Sequence, residues 1–139
     1  MNADAPKRHD SRERVDLRSL GIGLVSSHTE VASAAETLLR QRYEFASTEE
    51  AETLVALGGD GFMLHTLHAM LDSGRSVAVF GMNRGTVGFL MNDWRIDCLP
   101  ERLAGAKAIR VAPLEMKATT VAGDTRVHAA INEVSLLRE

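Results

Sequence analysis

Along the chain, short apolar runs take turns with longer stretches in which apolar positions recur every three or four residues. The runs "SLGIGLVSS" (19–27), "TLVALGG" (53–59) and "SVAVFGMN" (76–83) are brief and mostly apolar, the pattern of strands covered on both faces. Between the first two, Val31, Ala34, Ala35, Leu38 and Leu39 share one helical face, preceded by Ser27 and Glu30 at capping-box spacing. In "FMLHTLHAMLDSG" (62–74), Met63, Leu67, Met70 and Leu71 are in helical register, and Gly74 is the stop signal. Strands alternating with helices predict an α/β fold: an open, Rossmann-like parallel sheet with right-handed crossovers and helices on both faces.

After Arg110 the pattern changes. "IRVAPLEMKATTVAGDTRVHAAINEVSLL" (109–137) predicts three strands in succession, with Gly123-Asp124 at the turn between "MKATTV" and "TRVHAAINEV". Strands without intervening helices belong to another architecture, so residues 111–139 are expected to be the first strands of an incomplete all-β domain. At the other end, Arg8, Arg12, Arg14 and Arg18 interleave with Asp10, Glu13 and Asp16. Residues 1–18 are therefore expected to be a polar, disordered tail, which leaves 19–110 as the α/β nucleotide-binding domain.

Composition narrows the function classes. The chain has 139 residues, 45% of them hydrophobic, enough for a one-domain core. A net charge of −3 argues against a protein built mainly to grip nucleic acid. No apolar run reaches membrane-spanning length and no signal-peptide pattern opens the sequence, so neither a membrane nor a secretory role is expected. The single cysteine, Cys98, has no internal disulfide partner; it is expected to be a small core filler in a reduced, cytoplasmic protein.

The chemistry concentrates at one junction. Gly58, Gly59, Asp60 and Gly61 stand together between a predicted strand and a predicted helix. In open parallel sheets ligands sit beyond the carboxyl ends of the strands, and amides at a helix start attract anions. Glycines let a phosphate approach the backbone. Asp60 does not suit a phosphate; it suits a hydroxyl whose proton it accepts, or a Mg²⁺ ion that it helps hold. The plain alternative is a tight turn with Asp60 capping the helix.

A second glycine-rich segment, "GMNRGTVGFLMND" (81–93), follows the third strand. Gly81, Gly85 and Gly88 loosen the backbone, Asn83 and Asn92 offer amides, and Phe89 and Leu90 supply an apolar wall for a purine. The alternative is a long loop whose Phe89 packs into the core. In "AINEVSLL" (130–137), Asn132 and Glu133 lie within an apolar strand, where a buried unpaired carboxylate is costly. Glu133 is expected to meet a polar ligand, a positive partner or solvent. His65 and His68, three apart on a helix, lack a third ligand and are expected to be ordinary histidines, with no protein metal site.

Together these elements resemble the NAD kinase family: "GGDG" at 58–61, "GMNRGTVGFL" at 81–90 and "NE" at 132–133, in that order. GGDG alone is shared with phosphofructokinases and lipid kinases, whereas the full set is specific and spans about Leu20 to Arg138. The resemblance implies the amino-terminal part of an enzyme that phosphorylates the 2′-hydroxyl of the adenosine ribose of NAD. The donor is ATP or inorganic polyphosphate, with a divalent cation, Mg²⁺ above others. It implies that Asp60 is the catalytic aspartate. Gly58, Gly59, Gly61 and Phe62 match the nucleotide-phosphate loop, and Asn83, Gly85, Phe89 and Leu90 the segment lining the dinucleotide site. Asn132 and Glu133 match the pair that binds a ribose of NAD. The full-length protein is expected to form a homo-oligomer.

Two positions depart from the family pattern: Val87 replaces a common leucine and Phe62 a common threonine. The β-rich remainder of the family lies beyond these residues, so the chain alone is expected to be inactive. The other readings are a non-catalytic nucleotide-binding fragment, or a GGDG-type lipid or sugar kinase.

Overall fold

A computed structural model describes residues 13–86 and 88–137. The expected tail ends earlier than residue 18. Residues 1–12 lie outside the described residues, but β1 (Val15–Asp16) pairs in parallel with β3 (Tyr43–Glu44), and Leu17 is fully buried. One apolar residue with a buried slot is enough to recruit this segment, and a single position carries no periodicity to reveal it.

The sheet core is β2 (Ile22–Ser26), β4 (Thr53–Gly58) and β5 (Ala78–Asn83), in the order β2-β4-β5 and all parallel. A bridge between Gly23 and Ala46 sets the β1–β3 pair alongside β2. Leu24, Val55, Leu57 and Met82 point to one face, where they meet Ala32, Ala35 and Leu39 of α1 (Glu30–Arg42). Gly58 points the opposite way, against Phe62 of α2 (Asp60–Ser73). The two helices thus cover opposite faces, as the strand–helix alternation predicts. Helices that leave adjacent strands toward different faces mark a topological switch point, here between β2 and β4.

Details of α1 differ from the sequence reading. Its cap is Thr29, whose Oγ1 accepts the Ala32 amide at 3.2 Å; Ser27 instead stays at the strand end, its amide donating to Leu57 O at 2.9 Å. The buried stripe is Ala32, Ala35 and Leu39, while Val31, Ala34 and Leu38 face solvent, so the face turned to the sheet lies about one residue round from the predicted one. Glu36 ties α1 to β2, accepting from Ser26 Oγ at 2.5 Å and Arg40 Nε at 3.0 Å. Burial opposes ionisation of Glu36, but these hydrogen bonds and the Arg40 charge outweigh it and hold its carboxyl below the usual range. Helix α2 ends as expected, with Gly74 left-handed at φ 70°.

Helix α3 (Leu99–Ala104) has no counterpart in the expected elements; Pro100 lies in its first turn and Leu99 is fully buried. Cys98 is not a core filler. It caps α3 in a left-handed conformation (φ 60°) and is exposed, since Leu99 takes the inward position.

Beyond α3, two of the three expected strands form. β6 (Leu114–Thr119) and β7 (Thr125–Ala130) make an antiparallel hairpin, with Gly123 at φ 93° in its turn. Pro113 has no N–H to extend β6 backwards. After Ala130 the chain bends at Ile131–Asn132 and runs on to Leu137 without a strand partner. Asn132 and Glu133 therefore do not sit inside a strand: they follow one, and both are exposed.

Candidate functional site

The site forms where β4 and β5 end. Helix α2 starts at Asp60, two residues before the predicted start, with Gly59 as its cap (φ −113°, ψ −172°) and no side-chain capping bond. The capping role considered for Asp60 is thus not what its carboxylate does. Instead the Phe89 amide donates to Asp60 Oδ2 at 2.8 Å and the Leu90 amide to Oδ1 at 3.0 Å. Both carboxylate oxygens are engaged by the backbone of the second glycine-rich segment. The first two constellations of the sequence are one site.

That segment is anchored at both ends. Asn92 donates its backbone N–H and its Nδ2 to Gly81 O, at 2.8 and 2.9 Å, while its own carbonyl accepts the Asn83 amide at 2.9 Å. Asn83 Oδ1 accepts the Gly85 amide at 3.0 Å, and the Arg84 amide donates to Gly58 O at 2.8 Å. Between these anchors the loop swings back over α2 to reach Asp60. Val87 lies outside the described residues.

The glycines fall into two groups. A Cβ at Gly88 would overlap the Asp60 carboxylate, and one at Gly58 would lie 2.9 Å from the Phe62 Cβ. Those two are small because the chain packs against itself. A Cβ at Gly59 or Gly61 would meet nothing within 4 Å, and neither backbone is left-handed. Among the described residues no contact or backbone conformation explains glycine at 59 and 61. Gly85 is intermediate, its Cβ position 3.5 Å from Gly59 backbone atoms.

Phe89 does not pack into the core. Its side chain is fully exposed while its amide is fixed on Asp60, and Leu90 is half-exposed beside it. Phe62 lies against Gly58, and its carbonyl accepts the Thr66 hydroxyl at 2.9 Å. Asn132 and Glu133 are solvent-exposed, and no recorded hydrogen bond joins them to Asp60 among the described residues. His65 is exposed and His68 half-buried, and no group of three or more His, Cys, Asp or Glu side chains suited to a metal occurs among the described residues. No helix among them is long and apolar enough to cross a membrane.

Sequence reasoning passed over Arg84 and Trp94. The Arg84 guanidinium lies over the Trp94 ring, 4.9 Å from its centroid. The available signal was a cation inside a glycine-rich loop with an aromatic ten residues on.

No protein-family model matches the chain. Similar sequences are informative. Over 118 residues, 85% of its length, the chain is 59% identical to the NAD kinase of Rhizorhabdus wittichii, of which the match covers 46%. It is 52% identical over 116 residues to the NAD kinase of Zymomonas mobilis, covering 84% of this chain and 45% of that one. A third, the NAD kinase of Mesorhizobium japonicum, is 51% identical over 118 residues, with 85% and 45% covered. Over this matched stretch the chain belongs to the NAD kinase family, and it spans a little under half the length of these curated relatives.

Proposed function

We propose that this chain carries the phosphate-binding and catalytic half of an NAD kinase site, which moves a phosphoryl group from ATP or polyphosphate to the 2′-hydroxyl of the adenosine ribose of NAD. The observation that carries the reading is Asp60 held between the two glycine-rich segments, beside two glycines that none of the described residues requires. Gly59, Gly61 and the first amides of α2 hold the donor's phosphates. Asp60 faces the acceptor: the ribose oxygen forms a bond to the terminal phosphorus, the bond to the leaving phosphate oxygen breaks, and the hydroxyl proton passes to the carboxylate. Each oxygen of Asp60 accepts one amide and keeps a second lone-pair site for that proton.

Phe89 and Leu90 offer the dinucleotide an apolar wall, with Asn83 and Gly85 shaping the loop behind it. Residues 19–110 form the nucleotide-binding unit in this reading, and the β6–β7 hairpin begins a β-rich part that brings Asn132 and Glu133 to a ribose. A divalent cation neutralises donor charge when bound. The donor set fits a cation carried mainly by phosphate oxygens and water, with Asp60 as the protein carboxylate at the loop. The proposal also takes the whole protein to be a cytoplasmic homo-oligomer.

Two outcomes test it. Neither Gly59→Ala nor Gly61→Ala meets a clash: inside the helix, Gly61→Ala is expected to leave stability unchanged or raise it by about 0.4–1 kcal/mol, and Gly59→Ala, at the N-cap where alanine serves less well, to cost no more than about 1 kcal/mol. Both are expected to weaken ATP and tripolyphosphate binding on titration calorimetry. Unchanged affinity in both variants would leave only a tight turn. Glu133→Gln, in a protein of the relatives' length, is expected to weaken NAD binding more than ATP binding; equal losses would remove Glu133 from the ribose.

A further inference from the structure

The carboxyl rim of the sheet carries a cation for which the site described above has no task. The register ends Leu57↔Met82, Gly58↔Asn83. Gly59 and Arg84 are the residues that follow this last pair, and strand alternation directs them to the face of Leu57 and Met82. This is the face that α1 covers. Trp94 packs against the same core, and the Arg84 guanidinium lies on its ring. Stacking of this kind fixes the plane of the guanidinium fork.

Arg84 Nε is enclosed and has no hydrogen-bond partner. Six other guanidiniums are engaged, Arg14, Arg18, Arg40 and Arg42 with carboxylates and Arg75 and Arg102 with backbone carbonyls, while Arg95, Arg110 and Arg126 stand in solvent. Among the described residues no carboxylate stands within ion-pairing distance of Arg84. An enclosed, charged donor without an acceptor is costly, so its retention beside an open space calls for an anion. A Cβ on Gly59 would meet nothing within 4 Å, so the space over that residue, on the sheet face to which Arg84 is directed, is open.

We propose that Arg84, braced by Trp94, binds a phosphate oxyanion of the phosphoryl donor next to Gly59. The inference rests on the reading of Gly58–Gly61 as a polyphosphate loop and adds the side-chain cation that backbone amides lack. Helix-start amides supply partial charges only, whereas a planar guanidinium gives two parallel N–H···O bonds and a full charge. A cation fixed before the donor arrives needs little reorganisation as charge shifts among the phosphate oxygens. NAD also carries phosphates; the donor is favoured because strand alternation directs Arg84 and Gly59 to the same sheet face.

Trp94 is the only tryptophan of the chain, so its fluorescence reports on the guanidinium above it. The 139-residue chain is titrated with inorganic tripolyphosphate, ATP and NAD, as parent, Arg84→Gln, Arg84→Lys and Gly59→Ala, each checked for folding by circular dichroism. Tripolyphosphate and ATP are expected to change Trp94 emission saturably. Arg84→Gln should raise both dissociation constants by about tenfold or more and abolish the emission change, with Arg84→Lys intermediate and NAD affinity kept. Arg84→Gln binding tripolyphosphate like the parent, while Gly59→Ala does not, would overturn the Arg84 assignment and leave the glycine loop standing. Loss of NAD binding alone would overturn it by moving Arg84 to the acceptor. A parent chain that binds neither tripolyphosphate nor ATP at millimolar concentration would overturn the loop reading and this proposal together.

Discussion

Asp60→Asn, in a protein of the length of the NAD kinase relatives, is expected to slow NADP formation by about 10²–10⁴-fold, the usual cost of losing a general base. Size and polarity are nearly kept, so by sequence alone the change is conservative. The structure adds a second consequence. Asp60 accepts two amides, one on each oxygen. Asparagine has one acceptor oxygen, and its NH₂ would face the other N–H donor. One of Phe89 and Leu90 must give way, so faster hydrogen exchange at these amides is expected alongside the lost turnover. Turnover within about threefold of the parent would end the base assignment. Unchanged exchange would end the account of the loop.

Gly88→Ala is expected to be nearly as damaging, though residue 88 carries no chemistry. The added methyl would occupy the position of the Asp60 carboxylate. That group cannot simply swing aside without releasing the Phe89 and Leu90 amides. Either Asp60 or the loop must move by about an ångström or more, which costs on the order of 10²-fold in rate where reacting groups must be in line. Overpacking of this kind also costs about 1–3 kcal/mol of stability. Measured kcat and thermal midpoint should fall together, in contrast to Gly61→Ala, where affinity falls and stability does not. A Gly88→Ala enzyme with parental kcat would mean that the Asp60–loop contact is dispensable.

The contrast between these glycines shows where sequence reading succeeds and stops. The buried strands and both main helices were legible, since β4 presents an unbroken apolar run and Gly74 marks a helix end. The GGDG and GFL segments stood out by their glycines. What the pattern could not carry was contact between them: Asp60 and Leu90 are 30 residues apart, and nothing in either segment names the other as partner. It could not tell glycines forced by packing from glycines left free. Two-residue strands such as β1 and β3 are too short for any period, so Val15–Asp16 read as tail. Thr29 and Ser27 are both good caps by composition, and only the backbone path chose between them. Asn132 and Glu133 were visible as polar residues in an apolar run, but the bend that ends β7 before them was not. Arg84 was hidden because an arginine in a loop is ordinary; only the folded chain sets it over Trp94, ten residues on.

Under the proposed function, the double grip of Asp60 on the Phe89 and Leu90 amides makes two substrates share one hinge. A ligand that stacks on Phe89 settles the same backbone that orients the carboxylate, and a ligand that draws on the carboxylate tugs the same backbone. Thermodynamic linkage then requires reciprocity: whatever factor the dinucleotide contributes to donor affinity, the donor returns to the dinucleotide. The two affinities are therefore expected to be non-additive, and Gly88→Ala, which wedges the hinge, should bring their coupling close to zero.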